Sequence, residues 1–123
     1  ASGNLVTKNN YTYGLRNLKP TAGSSASQSN SDANGIKALP GTPTSTTSGS
    51  MGNVWVFSPA HNDSFTYVSY EGTCNATRTA YRQTVGAGSL KDLSSITGFR
   101  VNTQSSANLS GQVRIYGIRY EEF

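Results

Sequence analysis

The chain has 123 residues, of which only 34% are apolar and 13% are charged. This length limits it to one domain with a modest core. The formal charge of +4 comes from scattered basic residues, so nucleic acid, which needs a basic stripe, is not an expected partner. No stretch approaches the roughly 20 apolar residues of a membrane span, and no signal peptide is recognisable.

The composition favours β-structure. Ser, Thr, Asn and Gly are abundant, and seven Tyr outnumber four Phe and one Trp. Such a mixture suits strands with a hydroxyl-rich exterior rather than helices. The single cysteine, Cys74, excludes an intrachain disulfide and is expected to be a small, half-buried residue. A chain that begins with Ala1 rather than Met is expected to be a processed product or part of something longer.

The N-terminal 52 residues divide into two parts. Residues 1–20 hold two weak strand signals, at 5–7 and 11–15, and form an N-terminal arm or strands. Residues 21–52 are mostly Ser, Thr, Gly, Ala, Asn and Pro, which predicts a long loop. This loop is either a flexible linker or an ordered segment held by a neighbour.

Residues 53–123 are predicted to form the β-sandwich core. Turn signals about every ten residues are typical of an antiparallel sandwich. The third of the predicted strands is expected to break at the glycines of 86–88. The strands are predicted at 54–57, 65–70, 77–85, 96–101 and 112–120. The side chains expected in the core are Val54, Val56, Phe65, Val113 and Ile115.

The sequence offers no catalytic constellation, and the prediction is a protein that is not an enzyme. The only histidine, His61, lies in a polar turn near Asp63, and this spacing has no specificity for a triad. No metal-ligand spacing and no glycine-rich phosphate loop is present. Catalytic, metal and cofactor sites are therefore not expected.

Tyrosines are the remaining candidates for a binding surface. Their side chains are favoured where one end is dry and the other is wet. They either belong to the core and rim of a sandwich, or they stack on sugar rings or fill a subunit interface. The candidate interface or glycan contacts are Tyr11, Tyr13, Tyr70, Tyr116 and Tyr120.

The order of segments resembles a known group of viral modules. The motifs are GNVWVFSP (52–59), a Phe-x-Tyr strand (65–67), SSITGFRV (94–101) and ANLSGQVRIYGI (107–118). Together they resemble the C-terminal part of jelly-roll-like β-sandwich modules of tailed-bacteriophage virions, found in tail fibres, head fibres and capsid decoration proteins. The resemblance covers about 52–118 and implies a surface structural role without catalytic residues. Those modules usually have more strands upstream than residues 1–20 supply.

The expected function is therefore a non-enzymatic structural, decoration or fibre module on a virion surface. Its expected partners are other copies of itself and other virion proteins, because a strand edge without its usual neighbour is prone to pair with another chain. Two alternatives stay open: a carbohydrate-binding adhesin that contacts a host-surface glycan, and a subunit of an extracellular filament.

Overall fold

The computed structural model describes residues 9–18, 25–37, 49–75, 81–101 and 110–118. Within these ranges the protein is all-β, as predicted, and its strands form one five-stranded antiparallel sheet. Among these residues, no helix is long and apolar enough to cross a bilayer. The sandwich and jelly-roll arrangements stay predictions. The strands are β1 (Tyr11–Leu18), β2 (Ser25–Ala33), β3 (Ser50–Phe57), β4 (Thr66–Asn75) and β5 (Tyr81–Leu90).

The strand order across the sheet is β2-β1-β5-β4-β3. β5 is the central strand. It pairs with β1 on one side and with β4 on the other, and so connects the β1–β2 pair to the β3–β4 pair. β2 and β3 therefore form the two edges of the sheet. The pairing of β1 with β2 is irregular between Tyr11 and Tyr13, which is typical of a bulge near the end of an edge pair.

The two faces of the sheet differ in burial. Side chains alternate between the faces along each strand. The register aligns Leu15, Gly86 and Tyr70 on one face, which we name the inner face. The other, the outer face, includes Trp55 and Tyr67.

The core is small and lies on the inner face. Tyr70 is only 1% exposed and lies against Gly86, while its hydroxyl donates a hydrogen bond to the Gly14 carbonyl at 3.3 Å. One tyrosine therefore reaches from β4 across β5 to β1. The buried residues of the described chain also include Leu15, Ala33, Thr66, Cys74, Thr84 and Leu90.

The predicted break at the glycines of 86–88 is wrong, because β5 continues through them to Leu90. The physical reason lies on the inner face. A Cβ at Gly86 would lie 2.5 Å from the Tyr70 ring, and one at Gly88 would lie 2.6 Å from the Thr12 carbonyl oxygen. Close packing of neighbours, rather than a turn, requires these glycines.

Two further predictions from the 94–118 region fail. Residues 94–101 and 110–118 belong to no strand of the sheet, so the strands predicted at 96–101 and within 112–118 are wrong; residues 119–120 lie outside the described residues. All five side chains predicted to form the core are exposed: Val54, Val56, Phe65, Val113 and Ile115. The apolar pattern indicates that these residues lie in strands. Whether their side chains are buried depends on a second layer of structure packed on the sheet, which the pattern does not specify.

β2 lies inside the stretch predicted to be a long loop. Its sequence, SASQSNSDA, has no apolar alternation, and the strand exists because its backbone pairs with β1 from Ser25 to Ala33. An edge strand needs only one partner, and polar side chains suit its water-facing side. The loop prediction therefore missed an edge strand that its own side chains do not indicate.

Candidate functional site

The apolar edge of the sheet is β3. Its residues pair with β4 on one side, from Ser50 opposite Cys74 to Phe57 opposite Tyr67. No described strand pairs with its other side. Every side chain of β3 is exposed, including both valines of the inner face, Val54 and Val56, and both aromatic residues of the outer face. An apolar strand with one open edge is a template for pairing with another chain.

The second component is the segment 110–118. Ile115 is 72% exposed and Tyr116 is 79% exposed, and Val113 and Ile118 are exposed to a similar degree. All of its residues face solvent, and the segment pairs with no described strand. A sequence with this much apolar surface and a β-type composition normally gains its stability by joining a sheet.

The edge and the segment match in length and chemistry. As a strand, 110–118 would span about 30 Å, and the eight residues of β3 span about 26 Å. Val113 and Ile115 would share one face of such a strand, as Val54 and Val56 share the inner face of β3. Pairing would therefore continue the apolar strip of the inner face.

The opposite edge of the sheet, β2, is polar. β2 is built from Ser, Gln, Asn, Asp and Ala, and its described side chains at Ser27, Ser29, Asn30 and Ser31 are exposed. Polar edges are a common protection against edge-to-edge association. The sheet is therefore asymmetric, with β3 as the edge suited to pairing.

The structure separates the five tyrosines predicted to contact glycans or partners. Tyr11 and Tyr13 are half-buried on the inner face of β1. Tyr70 is buried within the sheet and serves packing. Tyr116 is highly exposed in the segment 110–118, and Tyr120 lies outside the described residues.

Burial changes the acidity of two of these phenols. Desolvation raises the pKa of Tyr70 to about 12, with a smaller contribution from Tyr13. Burial also raises the pKa of Tyr11, and the negative charge of Asp92 adds to it. Each phenol therefore keeps its proton, and its capacity to donate a hydrogen bond, to a higher pH than an unperturbed tyrosine does.

His61 and Asp63 lie together in the turn after β3. The Nδ1 of His61 is 3.5 Å from the Oδ1 of Asp63, and both side chains are highly exposed. Such a solvated pair contributes little to stability.

The turn begins at Ser58, whose φ of 56° is in the left-handed region. The backbone amide of Ile96 donates a hydrogen bond to the Pro59 carbonyl at 2.6 Å. This hydrogen bond connects the segment after β5 to the turn that follows β3.

Three aromatic residues of the outer face are exposed, which their strand pattern does not indicate. Trp55, Phe57 and Tyr67 lie in strands predicted from the sequence, and they are 51%, 52% and 53% exposed. Phe57 lies directly opposite Tyr67 in the register. The apolar run at 54–57 gave no signal of this exposure, since a strand covered on both faces has the same pattern.

Comparisons with known proteins give no match: no family model matches the chain, and neither the curated proteins nor the solved structures contain a significant match.

Proposed function

We propose that this protein is a non-enzymatic structural module that assembles with further copies of itself on the surface of a virus particle. The observation that carries the proposal is the open apolar edge of β3 together with the exposed apolar segment 110–118, which pairs with no strand of the described residues. Their exposed apolar surface is of the kind that marks an interaction site.

The assembly mode is the addition of a strand. The segment 110–118 of one copy pairs with β3 of the next copy, so that backbone hydrogen bonds supply affinity. Side chains at alternate positions, such as Val113 and Ile115, then supply specificity. Each copy both donates and receives a strand, and such a head-to-tail contact closes into a ring when the rotation allows it. A trimer is one such closed oligomer.

The location on a virion is supported by the resemblance of 52–118 to phage modules. Those modules form fibres and decorations, and both depend on repeated contacts between identical chains. A sheet with one apolar edge and one polar edge suits that use, because only the apolar edge attracts a partner.

Sedimentation equilibrium tests the assembly. The wild-type chain is expected to sediment as a closed oligomer. Val56→Lys places a charge on the receiving strand, and Ile115→Pro removes a backbone donor from the donated one; each is expected to give monomers. Ser27→Lys, at the polar edge, is the matched control and is expected to leave the oligomer intact. A wild-type monomer that melts in one sharp transition would contradict the assembly.

Immunogold electron microscopy of material from the native source tests the location. Labelling at regular positions on virus particles is the expected result. Label on extracellular filaments instead of virus particles would contradict the proposed location on a virion and favour the filament alternative.

A further inference from the structure

The register predicts a shallow trough on the outer face, because a row of small residues crosses the strands between two rows with larger side chains. Its floor is the row Ser69, Ala87 and Gly14, which lie opposite one another on β4, β5 and β1. All three residues are exposed, and a Cβ at Gly14 would meet no atom of the described residues within 4 Å. Three strand spacings, from β3 to β1, give the trough a length of about 14 Å. We name it the outer trough.

Trp55 closes the outer trough at the β3 end. It lies opposite Ser69, a small residue of the trough floor. Trp55 is 51% exposed, so about half of its surface is accessible to a ligand. A half-exposed indole beside a floor of small residues is a surface on which a flat ring can stack.

The two banks of the outer trough have different chemistry. One bank contains the aromatic pair Phe57 and Tyr67. The other contains Asn53 and Glu71, and the Asn53 Nδ2 donates a hydrogen bond to the Glu71 Oε1 at 3.3 Å. Four residues along a strand separate the two banks, which is about 13 Å. At the β3 end, the trough is thus apolar along one side and hydrogen-bonding along the other. Towards β1, the first row continues with Ser89 and Thr12, and the second with Val85 and Arg16.

The Asn53–Glu71 pair keeps hydrogen-bonding capacity for a ligand. A carboxylate has two oxygens and the amide retains a second N–H and its carbonyl oxygen. Their mutual hydrogen bond fixes both planar groups, which lowers the entropy lost when a ligand binds. Two fixed planar groups beside an aromatic ring suit a ligand that has an apolar face and hydroxyl groups around its rim.

We propose that the outer trough binds an uncharged oligosaccharide, with one sugar ring stacked on Trp55 and its hydroxyl groups bonded to Glu71 and Asn53. The inference goes beyond assembly. Trp55 and Asn53 belong to the pairing strand β3, but the proposed site uses their side chains on the outer face, whereas strand addition uses the backbone groups of the open edge. The inference is also distinct from the tyrosine contacts expected from the sequence.

A nucleic-acid strand, which also stacks on aromatic rings, fits the outer trough less well. Binding to single strands needs a positively charged groove along the phosphates. Here Glu71 and Arg16 lie on the same bank, on either side of Val85. In the register, Glu71 on β4 is nearer to Trp55 than Arg16 on β1 is, so the charge beside the indole is negative rather than positive.

Intrinsic fluorescence provides a direct test, because Trp55 is the only tryptophan of the chain. The wild-type protein is first applied to an array of microbial and host-surface glycans. Oligosaccharide fragments of the bound glycans are then titrated in solution while the emission is recorded. A saturable shift of the Trp55 emission is the expected result, whereas an array without any bound glycan would overturn the proposal.

Variants assign the binding to the outer trough. Trp55→Ala removes the stacking surface and is expected to weaken array binding about tenfold or more. Ala87→Leu fills the floor without altering the indole and is expected to abolish the emission shift. Phe99→Ala removes an exposed aromatic ring outside the sheet and is expected to bind as the wild type does. Unchanged binding by both trough variants would overturn the assignment.

The same titration on Val56→Lys separates the two proposals. This variant is expected to be monomeric and still to bind the oligosaccharide. If it sediments as a monomer and has lost the emission shift, the binding site is formed by the assembly and not by the outer trough of one chain.

Discussion

The ring of Tyr70 lies on Gly86, the residue opposite it on the central strand. A Cβ at Gly86 would lie 2.5 Å from the Tyr70 Cζ and hydroxyl and 2.6 Å from the Gly14 carbonyl oxygen. The buried tyrosine and the absent side chain therefore form one packing unit. This unit connects β4, β5 and β1, since the Tyr70 hydroxyl donates to Gly14.

Gly86→Ala is expected to destabilise the protein by about 1–3 kcal/mol, because both the tyrosine ring and a backbone carbonyl would have to shift. Gly14→Ala is the matched control on the neighbouring strand. It adds the same methyl group where no atom lies within 4 Å, and it is expected to change stability by less than about 1 kcal/mol. Urea unfolding measures both values. Equal losses for the two variants would show that backbone freedom, rather than contact with Tyr70, determines the cost.

Tyr70 also predicts how stability depends on alkaline pH. Its pKa is raised from 10.0 to about 12 in the folded protein, so the folded state retains a proton that the unfolded state releases. This contribution is fully present below pH 10 and is lost as the pH rises through about 12. Chemical unfolding at a series of pH values is expected to show a decline across this window.

Tyr70→Phe is the control for that decline. It lacks the ionisable hydroxyl, and it is expected to lose less stability than the wild type across the same window. At neutral pH it is expected to be less stable than the wild type by about 1 kcal/mol, because the hydrogen bond to Gly14 is missing. If the wild type and Tyr70→Phe decline in parallel, another group controls the alkaline transition.

Substitution by valine is expected to have opposite effects on stability at two buried threonines of adjacent strands. Thr84 donates a hydrogen bond from its Oγ1 to the Asn17 Oδ1 at 2.7 Å. The Oγ1 of Thr66 is buried and has no hydrogen-bond partner among the residues that the structure describes. Thr84→Val is therefore expected to cost about 1–3 kcal/mol, since Asn17 loses its donor, whereas Thr66→Val is expected to stabilise by about 1 kcal/mol. Thermal unfolding of both variants measures the difference, and a loss in both would contradict the assignment of Thr66 as unsatisfied.

The thiol of Cys74 is expected to be unreactive in the folded protein. Cys74 is buried on the inner face, and desolvation raises its pKa, although Arg82 opposes part of that effect. A thiol reagent needs the thiolate and access to it, so labelling is expected to be slow in buffer and fast in urea. Ala60→Cys in a Cys74→Ala background, which places a thiol at an exposed position, is expected to be labelled quickly in both conditions. Fast labelling of the wild type in buffer would contradict the burial of Cys74.

The candidate site could be predicted from the sequence only in part. The segment 107–118 indicated an apolar strand in need of a partner, and the structure leaves its described residues exposed. The outer trough was not predicted. Its floor joins Ser69, Ala87 and Gly14 from three strands, and nothing in the separation of these residues along the chain indicates that they are neighbours.

By itself, the sequence determined the all-β class and the approximate positions of β1, β3 and β4. Side-chain alternation along a strand is a local property, and it is written in the residues of that strand. The tertiary structure alone decided that β5 lies between β1 and β4, that β2 forms an edge, and that Gly86 makes room for Tyr70. These features depend on which strands become neighbours and in which register. That choice is made by contacts between residues far apart in the chain.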